Sequence, residues 1–413
     1  ATSGLSAENG MHSGASVNAV TKSGANKFSG TAFEFIRDRH FNASSPFAAI
    51  GPDGKRKDDG LKRNQFGGTL GGPIVKDKLF FFGAYQGTIR RQPPATNIMF
   101  IPTAQMLAGD FTSFTSAACN AGRQINLAAP FAGNRIDPAR VSPAALAIVK
   151  RLPTTTSPCG EITYESTEDQ DEHQPIVRLD YQMNQKQSIF GRYLGTRITI
   201  PPGYAGGTDN ILKTNTAGSY NLMHSVSLGD TLVLSQNVVN AARATINYTH
   251  VKRYQNPLFS PSDVGIKLYS YAPGAQFPLT VNGAFTLQQG QATKREELNT
   301  VYAFSDDLTV VRGSHQFGFG GLFQYWHGDY SSTSRTGGNW IVDGHVTGNA
   351  LADFMIGRLA SVEHGGPNIL NVKNNYMGWY AQDAWRLSNR VTLTSGVRKK
   401  PLLTRSTVIG PWL

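Results

Sequence analysis

The 413-residue chain carries 39 Lys and Arg against 28 Asp and Glu, for a formal net charge of +11, with 16% charged residues, 44 glycines and 10% aromatics. That balance excludes an intrinsically disordered chain, and no apolar run reaches the roughly 18 residues of a transmembrane helix. The positive charge is scattered, and its densest run, KRKDDGLKR at 55–63, is interrupted by Asp58 and Asp59 in a loop, so a solvated face accounts for it better than a nucleic-acid site.

The first clear elements lie in GPIVKDKLFFFGAYQG at 72–87, which gives two strands around a short turn at 76–78. Pro73 cannot donate to a sheet ladder, so it fits a strand start or an irregular position near a rim. On the second strand Phe80, Phe82 and Ala84 share one face while Phe81, Gly83 and Tyr85 share the other. Either set can form the apolar side.

The long link at 92–174 contains both cysteines, Cys119 and Cys159, which read either as a disulfide closing a loop or as two unpaired small residues. Within it, SPAALAIVKRL at 142–152 predicts a short helix with Ser142 as N-cap and Pro143 at the first helical position. Beyond it, Val177, Leu179, Tyr181 and Met183 alternate with Arg178, Asp180, Gln182 and Asn184, a period of two that demands a strand with one apolar and one polar face. The pattern returns at SIFGRYLG, at 301–311, in FGFGGLFQYW, at 375–387 and in VTLTSGVR.

Connections alternate between short turns, near 76–78, 185–187, 235–237, 312–316 and 387–390, and long links at 38–64, 92–174, 196–219, 253–297 and 328–373. One compact rim and one rim free to grow predict an all-β fold: an antiparallel up-and-down transmembrane β-barrel with long extracellular loops. About eleven strands of roughly ten residues are expected, and because single-chain bacterial barrels have even counts, the chain reads as part of a larger barrel.

Aromatics near strand ends, Phe80, Phe82, Trp326, Trp379, Tyr380 and Trp385, are assigned to a headgroup-level girdle, against the alternative of a sugar-stacking platform. Arg178, Asp180, Arg192 and Asp306 or Asp307 are assigned to the lumen face. No HExxH, GxSxG or GxxxxGK[ST] motif occurs, and no Cys/His spacing suits zinc, so neither catalysis nor a metal or cofactor is expected. Asp306 and Asp307 are adjacent, so on a strand they face opposite ways and cannot pair as acid and base.

Four ordered stretches together resemble the TonB-dependent outer-membrane transporters, in particular their Oar-like group. SGASVNAVTKSGANKFSGTAFEFIRD at 13–38 is similar to the family's plug end and first barrel strand, and QFGGTLGGPIVKDKLFFFGAYQG at 65–87 to its next two strands. IPTAQMLAGDF at 101–111 with PFAGNRIDPARVSPAALAIVKRLP at 130–153 resembles the large loop of Oar-like members, and NNYMGWYAQDAWRLSNRVTLTSGVR at 374–398 a later hairpin. The resemblance implies a plug end at 1–26, joined through Thr21, Lys22, Ser23 and Gly24 to the barrel at 27–398. The tail at 399–413 departs from the family's aromatic strand and reads as a frameshifted or truncated end.

The resemblance further implies an importer in the outer membrane of a Gram-negative bacterium, in contact with outer-membrane lipid. It would be coupled to the TonB complex through a segment this chain lacks and would admit an oligosaccharide, a peptide or a siderophore. The competing readings are a structural or adhesive outer-membrane protein without TonB coupling, and a secreted carbohydrate-binding β-protein.

Overall fold

In a computed structural model, the described residues are 7, 20–44, 46, 50, 54–56, 60–91, 95–166, 169–271, 276–288, 294–400 and 406–409. Most of the expected plug end and of the atypical tail lies outside them.

In chain order the strands are β1 (Ser29–Arg37), β2 (Lys62–Val75), β3 (Leu79–Arg91), β4 (Ala95–Phe100), β5 (Glu161–Ser166), β6 (Gln170–Asn184), β7 (Gln187–Ile200), β8 (Gly218–Ser235) and β9 (Val238–Tyr254). They continue with β10 (Leu279–Val281), β11 (Phe285–Leu287), β12 (Arg295–Arg312), β13 (His315–Ser332), β14 (Asn339–Val342), β15 (Ser361–Glu363), β16 (Asn368–Arg386), β17 (Thr392–Lys399) and β18 (Ser406–Ile409). Three short helices intervene: α1 (Ala104–Leu107), α2 (Pro143–Val149) and α3 (Ala350–Met355).

One large sheet forms a wall in the order β1-β2-β3-β6-β7-β8-β9-β12-β13-β16-β17, with β18 pairing β16. Each wall strand runs antiparallel to its neighbour in the chain, as alternating polar and apolar residues with tight turns require. Among the described residues the sheet is open, with β1 and β17 at its edges. Several strands are longer than the expected ten or so residues: β12 and β13 have 18 each and β16 has 19. Alternation fades before pairing does, because the upper part of a strand such as β13, ending HGDYSS, is polar on both sides. The ladder slips between Pro73 and Val75, so Pro73 sits at an irregularity beside the turn.

Cross-strand partners share a face, and the two faces of the wall differ. One carries Phe81, Val177, Leu179, Val226, Leu228 and Ile246, and continues through Phe304, Phe319 and Phe323. These side chains are accessible despite being apolar, with Leu228 57% and Phe304 53% exposed. The opposite face carries Arg178, Asp180, Arg192, Ser227, Thr245, Asp307 and Gln324.

The hydrophobic core lies outside the wall. Buried apolar side chains come from the four long links at 92–169, 201–217, 255–294 and 333–367, all joining strand ends at the same rim of the wall, while Phe82 is the wall's one contribution among the described residues. Phe111 meets Phe131 edge-on at 5.0 Å, Phe277 stacks on Trp340 at 5.6 Å, and Phe285 meets Phe354 at 5.3 Å. A four-stranded sheet, β11-β10-β14-β15, joins the third and fourth links. The Ser142 hydroxyl accepts the Ala145 N–H at the start of α2, and Ala145 and Ile148 turn into this core, so the helix expected there is present.

Candidate functional site

Three features of this architecture can do chemistry: a segment laid on the polar face of the wall, the loop module at one rim, and a row of polar aromatics on the apolar face.

Residues 20–28 run to β1 beside the turn between β2 and β3. Arg178 donates from Nη1 to Thr21 Oγ1 at 2.9 Å, and its guanidinium is fixed by a forked bond to Asp180 and by stacking over Phe190 at 4.6 Å. Arg can hold both contacts because its planar fork and its apolar face serve different partners. At the turn, Asn26 Oδ1 accepts the Asp77 N–H at 2.8 Å, where Asp77 adopts a φ of 61°. Gly24 is needed by contact: a Cβ there would stand 2.3 Å from the Phe81 carbonyl oxygen and 2.7 Å from that of Gly72. Among the expected junction residues, Thr21 and Gly24 touch the wall in these ways, whereas Lys22 and Ser23 are exposed. Asn26 and Asp77 complete the contact with Arg178, which the two-residue period had already put on the polar face.

The loop module is closed by the disulfide between Cys119 and Cys159, whose Cα atoms are 5.3 Å apart and 40 residues apart in sequence. Inside it, Asn134 donates to Thr115 Oγ1 and to the Ile125 carbonyl and accepts the Leu127 N–H, so a buried amide is satisfied on both ends. An apolar cavity of about 210 Å³ lies between α2, β10, β14 and α3, with Ile148, Phe277, Trp340 and Phe354 among its walls. Asp343, His345 and Asp353 bring ligand-type atoms within 4.8 Å of one another. The hydrogen bonds there already explain the grouping: Asp353 accepts the N–H groups of Val346 and Thr347 and the Thr347 hydroxyl, and Asp343 accepts from His345. The bond to His345 also holds the Asp343 carboxyl below the usual carboxylate range.

Face by face, the wall redistributes the aromatics assigned to the girdle. Trp379 and Trp385 lie on the apolar face, with Trp385 stacked on His315 at 5.2 Å. Phe80, Phe82, Trp326 and Tyr380 lie on the polar face and correct that assignment: Phe82 pairs with Arg178 and is 9% exposed, and Tyr380 donates its hydroxyl to Asp307. The side chain that looks outward from the phenylalanine triplet is Phe81, level with Leu179. Asp306 and Asp307 do point opposite ways, Asp306 to Asn240 on the apolar face and Asp307 to Tyr380.

Tyrosines and histidines mark the apolar face near the long-link rim. Tyr85 Oη is 2.7 Å from His173 Nδ1, Tyr193 Oη is 2.7 Å from His224 Nδ1, and His224 stacks on Tyr248. His250 Nε2 meets Glu296 at 2.8 Å, and His327 lies beside Asp329 and Asn371. Strand period alone left the choice of face open, and register from strand to strand decides it.

Residues 20–401 match the family model described as outer membrane beta barrel domain. Over 99 residues the chain is 35% identical to the TonB-dependent transporter Oar of Myxococcus xanthus, a match covering 22% of this chain and 9% of that protein. Among solved structures, the outer membrane transporter YddB from Escherichia coli is similar with a TM-score of 0.45 at 10% identity, over 93% of this chain and 40% of that one. The siderophore receptor PirA from Acinetobacter baumannii is similar with a TM-score of 0.44 at 12% identity, over 92% and 39%. The chain thus spans well under half the length of these relatives. With a wall of antiparallel strands that is apolar on one face and polar on the other, and a match running from residue 20 to residue 401, the chain belongs to the outer membrane β-barrel domain family.

Proposed function

We propose that this chain is part of the barrel of a TonB-dependent outer-membrane receptor that admits a bulky or scarce solute through a plugged lumen. The carrying observation is the segment at 20–28, pinned to the polar face by Arg178, Asp77 and the close approach at Gly24. A segment entering the lumen beside a short turn arrives from the periplasmic side, where a plug must connect to TonB. On this reading residues 1–26 are the end of the plug and 27–398 the barrel. Trp379 and Trp385 join a girdle at the lipid headgroups, and the loop module at the other rim meets the solute first. An oligosaccharide, a peptide and a siderophore all fit the neutral and aromatic groups of the polar face, such as Gln324, Trp326 and Tyr376.

The test is uptake by cells expressing the parent protein, with and without a functional TonB, offered maltodextrins, short peptides and ferric siderophores in turn. Accumulation of one class that disappears without TonB is expected. Accumulation of none, with the parent protein present in the outer membrane, would favour a structural or adhesive barrel without TonB coupling.

A further inference from the structure

The cavity of the loop module combines apolar walls, neighbouring cations and a sheet edge. Ile148, Ile266, Phe277, Trp340, Phe354 and Leu359 are among the residues that line its roughly 210 Å³. Trp340 donates its indole N–H to the Gly337 carbonyl at 3.0 Å and stacks on Phe277, so its polar edge is already satisfied. Leu359, 37% exposed, stands at the mouth. Lys267 follows Ile266 and Arg358 precedes Leu359, and both cations are exposed. The acids nearest them in the chain are engaged elsewhere: Asp263 with Ser260, Glu363 with Arg335 at 3.3 Å, and Asp353 in the turn before α3. Two residues past Leu359 begins β15, the edge strand of the four-stranded sheet, which is exposed throughout and pairs with β14 alone among the described residues.

An apolar cavity of about 150 Å³ takes up a benzene ring, so this one has room for a phenyl or indole group. A sugar there would bury hydroxyls that the walls cannot satisfy. A free sheet edge offers an extended peptide main-chain hydrogen bonds, and an adjoining pocket selects one of its side chains. Cations beside that pocket suit a carboxylate. Along the chain, the cation Arg358, the cavity residue Leu359 and the strand 361–363 follow one another. A peptide running antiparallel to β15 presents its carboxylate, its last side chain and its preceding backbone in the matching order.

We propose that the loop module binds the C-terminus of a short peptide ending in an aromatic residue. The ring enters the cavity between Phe277, Trp340 and Phe354, the terminal carboxylate meets Arg358 and Lys267, and the preceding residues add a strand to β15. This deepens the receptor reading by naming a solute class, and it rests on that reading for transport but not for binding.

The test is calorimetric titration of the purified full-length parent protein in lipid nanodiscs with N-acetyl-Ser-Thr-Val-Phe, with its C-terminal amide, and with N-acetyl-Ser-Thr-Val-Gly. Burial of a phenyl ring contributes at least about tenfold, so the peptide ending in Gly should bind at least that much more weakly. Exposed ion pairs contribute up to about fivefold, so the amide should bind about fivefold more weakly than the acid. The variant R358Q/K267Q should bind acid and amide alike, at the affinity the parent shows for the amide. Filling the cavity with A144F should cost at least about tenfold, with exchange across 340–358 at the parent's level. The glutamine variant changes exposed side chains alone, so its result stands whether or not A144F keeps its fold. Amides of 360–364 should exchange more slowly with the acid bound. The proposal is overturned by absence of binding to the parent, by equal affinity for the peptides ending in Phe and Gly, or by equal affinity of the parent for acid and amide. Binding as expected with no TonB-dependent uptake of the same peptide would overturn the receptor reading and leave this site standing.

Discussion

At the scale of single residues, the informative positions are those where one group satisfies several others. Asp353 is fully buried and accepts three hydrogen bonds that close the turn before α3. Replacing it with alanine strands two backbone donors, and the loss should be about 3 kcal/mol of loop-module stability, measured by hydrogen exchange across 340–358. Protection unchanged from the parent would contradict the role assigned to these bonds. Cys119→Ser opens the loop closed by the disulfide, and chain entropy sets its contribution at about 4 kcal/mol for a loop of this length. Limited proteolysis should then cut within 101–164 while β8 and β9 stay intact. Gly24→Ala should lift the segment at 20–28 off the wall, seen as faster exchange at residues 20–28 with the β8 and β9 amides unaltered. Sequence reading named Gly24, Cys119, Cys159 and the lumen face of Arg178 but missed Asp353 and the contact of Arg178 with Thr21, 157 residues away.

Elements tell a different story about what was legible. The helix at α2 was visible because its cap and its first proline are local signals. The wall strands were visible because a two-residue period survives wherever one face is apolar, and the path of eleven strands matches the number expected. Their full length was hidden, since upper segments such as 327–332 of β13 pair without alternating. Faces were hidden too: Phe80 and Phe82 sit beside Asp180 and Arg178, a relation fixed by register between strands far apart in the chain. A paired substitution checks the assignment. Leu228→Arg should destabilise the barrel by about 2–4 kcal/mol in lipid bilayers. Thr245→Arg, on the polar face, should stay within about 0.5 kcal/mol. Denaturant titration in bilayers reads both, and similar losses would mean the faces are reversed. The loop core was invisible for a plainer reason: Phe111, Phe131, Phe259 and Phe277 stand singly in irregular segments, and no period connects them.

Taken whole, the molecule is stabilised in two solvents. The wall relies on lipid for its apolar face, and the loop module buries its own core in water. Acid should separate the two. In the module, hydrogen bonds from the Thr112 hydroxyl and N–H lower the Asp110 pKa, and those from the Ser260 N–H and hydroxyl lower that of Asp263. Burial opposes the same shift at Asp209, but the Ala205 N–H, Lys213 and the Asn210 N–H outweigh it. A carboxylate with a depressed folded pKa contributes stability above its unfolded value, and that contribution is lost as pH falls through the folded value. The module should therefore loosen below about pH 4, the usual aspartate range. Hydrogen exchange from pH 6 to pH 3 should show protection lost in 101–164 before β8 and β9, and the reverse order would contradict this division.

The length of β13 carries one more consequence. Its apolar face runs from Phe317 to Tyr325, and Trp326 to Ser332 continue the strand toward the loop module. At about 3.3 Å per residue and the usual strand tilt, that continuation lifts the module roughly 15 Å above the headgroups. Electrostatic screening in physiological salt sets in over about 8 Å. A charged solute approaching the rim therefore meets the field of the module's own side chains, with the membrane's surface charge already screened out. On the proposed receptor role, its selection at the rim is set by the protein alone, whatever the composition of the lipid beneath.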